Sequence, residues 1–263
     1  VNLKLKRKIN FINIDLSEEI IKFKDKKKFD IVIHLASTTN AEASVKDKKK
    51  VFKNNSGCFK NVLNFCLKNK IKLIHLSSTS VYGSQDLFVD EDCKELLPQS
   101  PYAEVKIIEE KILKKTNKNF KFVTLRLGTI VGPSSGMRFH TAVNKFCMQS
   151  YLNQPLDVWK TAYNQFRPYL SIRDSFKVFN FFIENKIFDR EVYNVVSENL
   201  TVKNIVDRIK KFNKTKIRLV NSKIMNKLSY KVNTAKVNKI GLKTKSTLID
   251  DINNTFKLLN KKL

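Results

Sequence analysis

The chain has 263 residues, 42% of them hydrophobic and 10% aromatic, enough for one large domain or one domain with a smaller second lobe. No run of about 18 apolar residues occurs, which argues against a membrane span, and the start Val1-Asn2-Leu3-Lys4-Leu5-Lys6-Arg7 lacks the apolar stretch of a signal peptide. The net charge of +27 comes almost wholly from lysine, alongside abundant Asn, Ile and Phe; this is a composition bias rather than an arginine-built base-reading surface, so neither membrane nor nucleic acid is expected as a partner.

Residues 8–14 predict a strand, and residues 17–24 a helix with Ser17 as N-cap. Residues 29–36 are nearly continuous in apolar side chains, the pattern of a parallel strand buried on both faces. A long helix over 47–68 follows, with Val51, Phe52, Val62, Leu63 and Cys66 turned inward. Next come a strand over 72–78, a helix over 102–114 and a strand over 120–127. That alternation predicts an α/β fold with a doubly wound, Rossmann-like parallel sheet.

Beyond Gly132-Pro133 the rhythm loosens. Helices over 141–151, 174–184 and 202–212 interleave with short strands over 156–159, 168–171 and 192–196, and an amphipathic helix over 248–259 closes the chain. The expected division is a dinucleotide-binding domain over 1–133, with parts of 155–196, and a smaller α+β substrate lobe over 134–263. Such a dinucleotide fold opens with a strand, a glycine-rich turn and a helix. The six glycines begin only at Gly57 and the first residue is Val, so the expectation is an N-terminally incomplete fragment of that fold.

Cys58, Cys66, Cys93 and Cys147 form no CxxC pair, which suits free thiols in a reducing cytoplasm with no metal site. The chemistry concentrates in Ser77-Ser78-Thr79-Ser80-Val81-Tyr82-Gly83 and Pro101-Tyr102-Ala103-Glu104-Val105-Lys106. Tyr102 and Lys106, at i and i+4, share one helix face. A nearby ammonium lowers the phenol from about 10 toward neutrality, and a strand-end hydroxyl can share a proton between substrate and tyrosine. The three groups suffice to remove a proton from a sugar hydroxyl.

This pairing resembles the extended short-chain dehydrogenase/reductase family, also called the nucleotide-sugar epimerase/dehydratase family. Further segments match it in order: Ile14-Asp15-Leu16, Asp30 through Ser37, Asn54-Asn55-Ser56-Gly57, Leu125 through Pro133, Arg167 through Asp174, Val192 through Val196, and Lys236 through Leu242. The resemblance implies Ser78, Tyr102 and Lys106 as catalytic residues. It implies NAD as cofactor, with NADP open, held by Asp15, Leu16, Leu35, Ala36, Ser37, Asn54, Ser77, Tyr102, Lys106 and Gly128. It also implies a nucleotide-sugar substrate contacted by Thr79, Thr129, Arg138, Asn144 and Arg167, and a homodimer formed through the helices over 47–68 and 102–115.

Family dehydratases carry Asp-Glu after the active hydroxyl, where this chain has Thr79-Ser80, so dehydration is disfavoured. An epimerase acting through a transient keto-sugar leads, with a nucleotide-sugar reductase or dehydrogenase as the alternative. A catalytically inactive nucleic-acid-binding or scaffold protein of the same fold is the alternative from another class. Arg138 and Arg167 suit a diphosphate clamp, against structural ion pairs with Asp157 or Asp174. His34 and His75, inside strands, read as core histidines; His140 stands open between substrate contact and surface.

Overall fold

A computed structural model describes residues 11–21, 29–85, 88–221 and 229–260. Strand β1 (Ile31–His34) leads through α1 (Ala41–Lys46) into the long helix α2 (Lys48–Asn69). Asp47 caps α2 by accepting from Lys50 N at 3.0 Å. Strand β2 (Lys72–Ser78), a 3-10 turn over Thr79–Tyr82 and the two-residue β3 (Phe88–Val89) follow. Helix α3 (Pro101–Lys114) starts where Ser100 accepts from Ala103 N at 3.3 Å; Pro101 pre-sets the first helical φ at a place whose N–H would go unpaired anyway. The chain continues through β4 (Phe122–Leu127), β5 (Thr129–Val131), α4 (Ala142–Tyr151), β6 (Leu156–Trp159) and β7 (Phe166–Ser171). It then forms α5 (Ile172–Glu184), β8 (Val192–Val195), β9 (Glu198–Thr201), α6 (Val202–Lys210) and β10 (Ile217–Val220). The short β11 (Lys231–Val232) and α7 (Ala235–Lys239) precede the closing helix α8 (Leu248–Asn260).

The central sheet runs β1-β2-β4-β8, every pair parallel, and every residue of β4 is buried. An apolar run without alternation is what a strand covered on both faces requires. One face packs Ile74, Leu125, Phe182 and Tyr193; the other packs Phe59, Leu63, Cys66, Leu73 and Phe122 against α2 and α3. A second core gathers Val143, Phe146, Ile205, Ile209, Ile252 and Phe256 from α4, α6 and α8. The smaller sheets are β5-β7-β9, with β7 and β9 antiparallel, and the parallel pairs β6-β10 and β3-β11, the last packed in a separate cluster with Val81, Tyr82 and Tyr230. No helix among the described residues is long and apolar enough to cross a membrane.

Two expectations at the front fail. Of the strand expected over 8–14, the described residues 11–14 form none, and the remainder lies outside the described residues. The helix expected over 17–24 is a turn at 16–19, with 22–28 outside the described residues. Asp15 rather than Ser17 anchors that turn: its carboxylate accepts from Ser17 N at 2.8 Å and Ser17 Oγ at 2.6 Å, and its carbonyl accepts from Glu18 N and Glu19 N. An aspartate bonding the backbone two residues on satisfies locally the donors that a helix would use. Strands β9 (Glu-Asn-Leu-Thr) and β10 (Ile-Arg-Leu-Val) are not expected from the sequence: four residues each, with no clear period-2 alternation, they are created by pairing with β7 and β6.

Candidate active site

Ser78 closes β2 at the carboxyl end of the parallel sheet, where open α/β sheets place ligands. Its Oγ accepts from Ser80 N at 3.2 Å and Ser80 Oγ at 2.8 Å, which fixes the hydroxyl over the first turn of α3. Tyr102, half-buried on that turn, is hydrogen-bonded with Ser78. One turn further, the buried Lys106 sets Nζ 5.9 Å from the centre of the Tyr102 ring. The three expected catalytic side chains therefore meet.

The phenol's electrostatics differ from the expectation. Burial pushes the Tyr102 phenol above its ordinary value, outweighing the Lys106 ammonium and the Ser78 bond that pull it down. The ammonium's help is blunted because Lys106 Nζ also donates to Glu109 Oε2 at 2.8 Å, and that carboxylate opposes a phenolate.

Ser77, expected at the cofactor, spends its hydroxyl elsewhere. Buried, it donates to Glu110 Oε1 at 2.5 Å; Glu110 takes Arg126 through both oxygens, at 3.0 and 2.7 Å. Arg126 Nη1 donates to Tyr82 Oη at 2.8 Å, and Tyr82 donates to Asn194 Oδ1 at 2.9 Å. This chain of partners ties β2, α3, β4 and β8 together beneath the site. Gly83 (φ +70) completes the turn, since a Cβ there would lie 1.8 Å from Leu97 O.

Of the expected cofactor residues, Asp15, Leu16, Ala36, Ser37 and Asn54 line an open cleft of about 490 Å³ together with Asn13, Ile14, Thr38 and Cys58, whereas Ser77, Tyr102, Lys106 and Gly128 are not in its lining. Leu35 is 64% exposed and lies outside this lining. Gly57 lets α2 approach the Asp15 turn: a Cβ would stand 2.4 Å from Ser17 O. Asn55, which sequence reasoning passed over for its neighbour, clamps the loop after β1 by accepting from Thr38 N at 2.7 Å and donating to Thr38 O at 3.1 Å. Ser37 Oγ and Thr39 Oγ1 are buried without a hydrogen-bond partner among the described residues. Unpaired hydroxyls at the tip of a parallel strand fit the ribose and phosphate oxygens of a dinucleotide. Gly128 ends β4 where a Cβ would stand 3.1 Å from the Pro168 backbone.

On the substrate side, Thr79 Oγ1 donates to Leu127 O at 3.3 Å and accepts from Tyr230 Oη at 3.5 Å. Tyr230 was missed, because a single aromatic in a polar stretch carries no signal until β11 brings it beside β2. The half-buried Arg167 donates to Phe166 O at 3.4 Å and Gln165 Oε1 at 3.1 Å, next to Tyr230 and Tyr169, and among the described residues no carboxylate pairs with it. Burial lowers its affinity for a proton, which favours an anion beside it. The competing carboxylates are engaged: Asp157 with Arg218 at 2.6 Å, and Asp174 with Lys177 at 3.2 Å, Ser197 and Ser246. Arg138 is exposed, its carbonyl accepting from Asn144 Nδ2 at 3.1 Å, and its charge reaches the Tyr102 phenol. Asn144 Oδ1 is buried without a partner among the described residues, and Thr129 is half-buried at the start of β5. His34 and His75 are both core residues, whereas His140 is exposed.

Residues 1–195 match the family described as "NAD dependent epimerase/dehydratase family". ADP-L-glycero-D-manno-heptose-6-epimerase of Brachyspira hyodysenteriae is 30% identical over 169 residues, 62% of this chain and 52% of the relative. dTDP-D-glucose 4,6-dehydratase of Dictyostelium discoideum is 29% identical over 201 residues, 71% of this chain and 44% of the relative. The chain thus spans about half the length of these curated relatives. The structure of UDP-glucuronic acid 4-epimerase from Bacillus cereus, in complex with UDP-glucuronic acid and NAD, superposes with a TM-score of 0.78 at 25% identity, covering 89% of this chain and 76% of that one.

Proposed function

The chain belongs to the NAD-dependent epimerase/dehydratase family, and from that premise we propose that it is a nucleotide-sugar epimerase acting through transient oxidation of one sugar carbon. The observation that carries this reading is the hydrogen bond between Ser78 and the Tyr102 phenol above the buried Lys106, with Arg167 on the substrate side carrying no partner carboxylate among the described residues. When bound, NAD supplies a reversible acceptor for hydride. Asp15, Leu16, Ala36, Ser37 and Asn54 would hold its adenosine and phosphate portions, and Lys106 its nicotinamide ribose.

Ser78 Oγ orients the sugar hydroxyl toward Tyr102 Oη, which takes its proton and later returns it. Lys106 favours the deprotonated phenol, against the burial that opposes it. Arg167, with Arg138 from the neighbouring loop, binds the diphosphate, so the sugar can present either face while the nucleotide stays fixed. Thr79 and Ser80 offer no acid or base for elimination, which favours epimerisation over dehydration. A dimer through α2 and α3 would cover the exposed Leu67 and Ile108, and four free thiols agree with a reducing cytoplasm.

The test is incubation of the full chain with NAD and a panel of nucleoside-diphosphate sugars, with products separated by chromatography. Epimer formation is expected, and Tyr102→Phe should lower turnover by roughly 10²–10⁴-fold while leaving NAD affinity nearly unchanged. Full turnover in Tyr102→Phe, or no epimer from any sugar, would sink the reading.

A further inference from the structure

Lys106 is held from behind. Its ammonium donates to Glu109 Oε2 at 2.8 Å, and the same oxygen receives His75 Nε2 at 2.9 Å. All three side chains are 0–3% exposed. An ionised carboxylate only accepts, so His75 carries its proton on Nε2, and Nδ1 is left to accept from Thr124 Oγ1 at 3.4 Å. Burial pushes the Glu109 carboxyl up, yet His75 and Lys106 together hold it below its ordinary value, so it stays charged. Both donors converge on one oxygen, while Oε1 is buried without a partner among the described residues. Thr124 on β4 and His75 on β2 thus aim a single carboxylate oxygen on α3 at the ammonium.

Tyr102, Lys106 and Glu109 follow at i, i+4 and i+7, one face of α3. The spacing sets the ammonium between phenol and carboxylate. A lone buried ammonium would act on the phenol as a full charge; paired with a carboxylate one turn behind, it acts as a shorter-ranged dipole. We propose that Glu109 and His75 are positioning residues for Lys106: the carboxylate, aimed by the imidazole, anchors the ammonium beside Tyr102 and weakens its field at the phenol. This deepens the reading of Tyr102 as acid/base and rests on it. Among the described residues, other titratable groups facing the cluster are His34 from β1, held neutral by burial, and Cys58 from α2, whose thiol burial pushes up; the Arg138 guanidinium acts on the Tyr102 phenol, and that phenol in turn acts on Tyr230.

The experiment follows the Tyr102 phenol by ¹³C-tyrosine NMR on the full chain, without cofactor or substrate, its signal assigned by loss in Tyr102→Phe. In Glu109→Gln the phenolate should appear about one pH unit or more below its position in the parent chain, because one buried negative charge has gone. An unmoved titration in a folded Glu109→Gln protein overturns the proposal, since a purely structural glutamate changes melting but not the phenol. Should that variant not fold, His75→Leu keeps the carboxylate and removes the donor that screens it. The titration should then move upward by about half a unit, and no movement or a downward one overturns the proposal equally. Because no turnover is read, failure here is distinguishable from failure of the epimerase reading, which the Tyr102→Phe turnover decides.

Discussion

Two side chains carry predictions of their own. His34 is 3% exposed, with neither ring nitrogen partnered among the described residues, and burial lowers its pKa from 6.5 to about 4. Between those values the unfolded chain binds a proton that the folded chain refuses. Stability from this residue is therefore intact above 6.5 and falls as pH drops toward 4, by roughly 3 kcal/mol. His34→Phe should flatten that slope in denaturant titrations at pH 4.5 and 7; an unchanged slope would mean that another group governs the acid limb. Arg167→Lys should weaken binding of a nucleoside diphosphate about tenfold, since lysine cannot present the planar fork that a phosphate accepts. Calorimetry finding equal affinity would place the diphosphate elsewhere. Ser78, Tyr102 and Lys106 were legible in the sequence because their spacing relative to one strand end and one helix start suffices to gather them. The direction of the Tyr102 shift was not, because it depends on how deeply the phenol is buried and on a carboxylate three residues beyond the lysine.

At the scale of elements, two joints decide whether the site is held. Arg190, at φ +70, reaches back to the end of α3 and donates to Asn117 O at 2.7 Å, Phe120 O at 3.1 Å, Lys114 O at 3.3 Å and Thr116 O at 3.1 Å. It satisfies carbonyls that the helix end leaves open. Arg190→Ala should cost about 2–4 kcal/mol, and Arg190→Gly less, since glycine relieves the left-handed backbone. Thermal melts would show that order; equal losses would mean that the backbone conformation costs little here. Gly57→Ala should displace the Asp15 turn from α2 and lower NAD affinity at least tenfold, with a smaller effect on melting temperature. Unaltered NAD affinity would separate this cleft from the cofactor. The β-α alternation from 29 to 127 was readable because buried parallel strands and amphipathic helices leave different apolar periods. The Asp15 turn was misread as a helix because the local aspartate bonds are invisible to that periodicity.

Over the whole molecule, α8 matters beyond its length. Leu248, Ile252 and Phe256 pack into the core shared with α4 and α6, Leu259 is buried as well, and Leu248 N donates to Glu198 Oε2 at 2.6 Å, where Arg208 also binds at 2.8 Å. Burying four such side chains is worth about 6–12 kcal/mol, comparable to the entire stability of a domain. Ending the chain at Thr247 should therefore abolish cooperative melting; a sharp transition retained without α8 would show that the second core stands on its own. By itself the sequence determined the parallel α/β sheet, the order of its main elements and the residues that meet at the carboxyl end of β2, because apolar periodicity and short-range spacing are properties of the chain alone. Only the tertiary structure decided where each polar group spends its hydrogen bonds. Ser77 turns to Glu110, Arg167 turns to Gln165 and the Phe166 carbonyl, Tyr230 arrives beside Thr79, and His75 backs Lys106 through Glu109. Those choices are made between strands and helices far apart in sequence, where burial makes an unpaired polar group costly and so selects the partners.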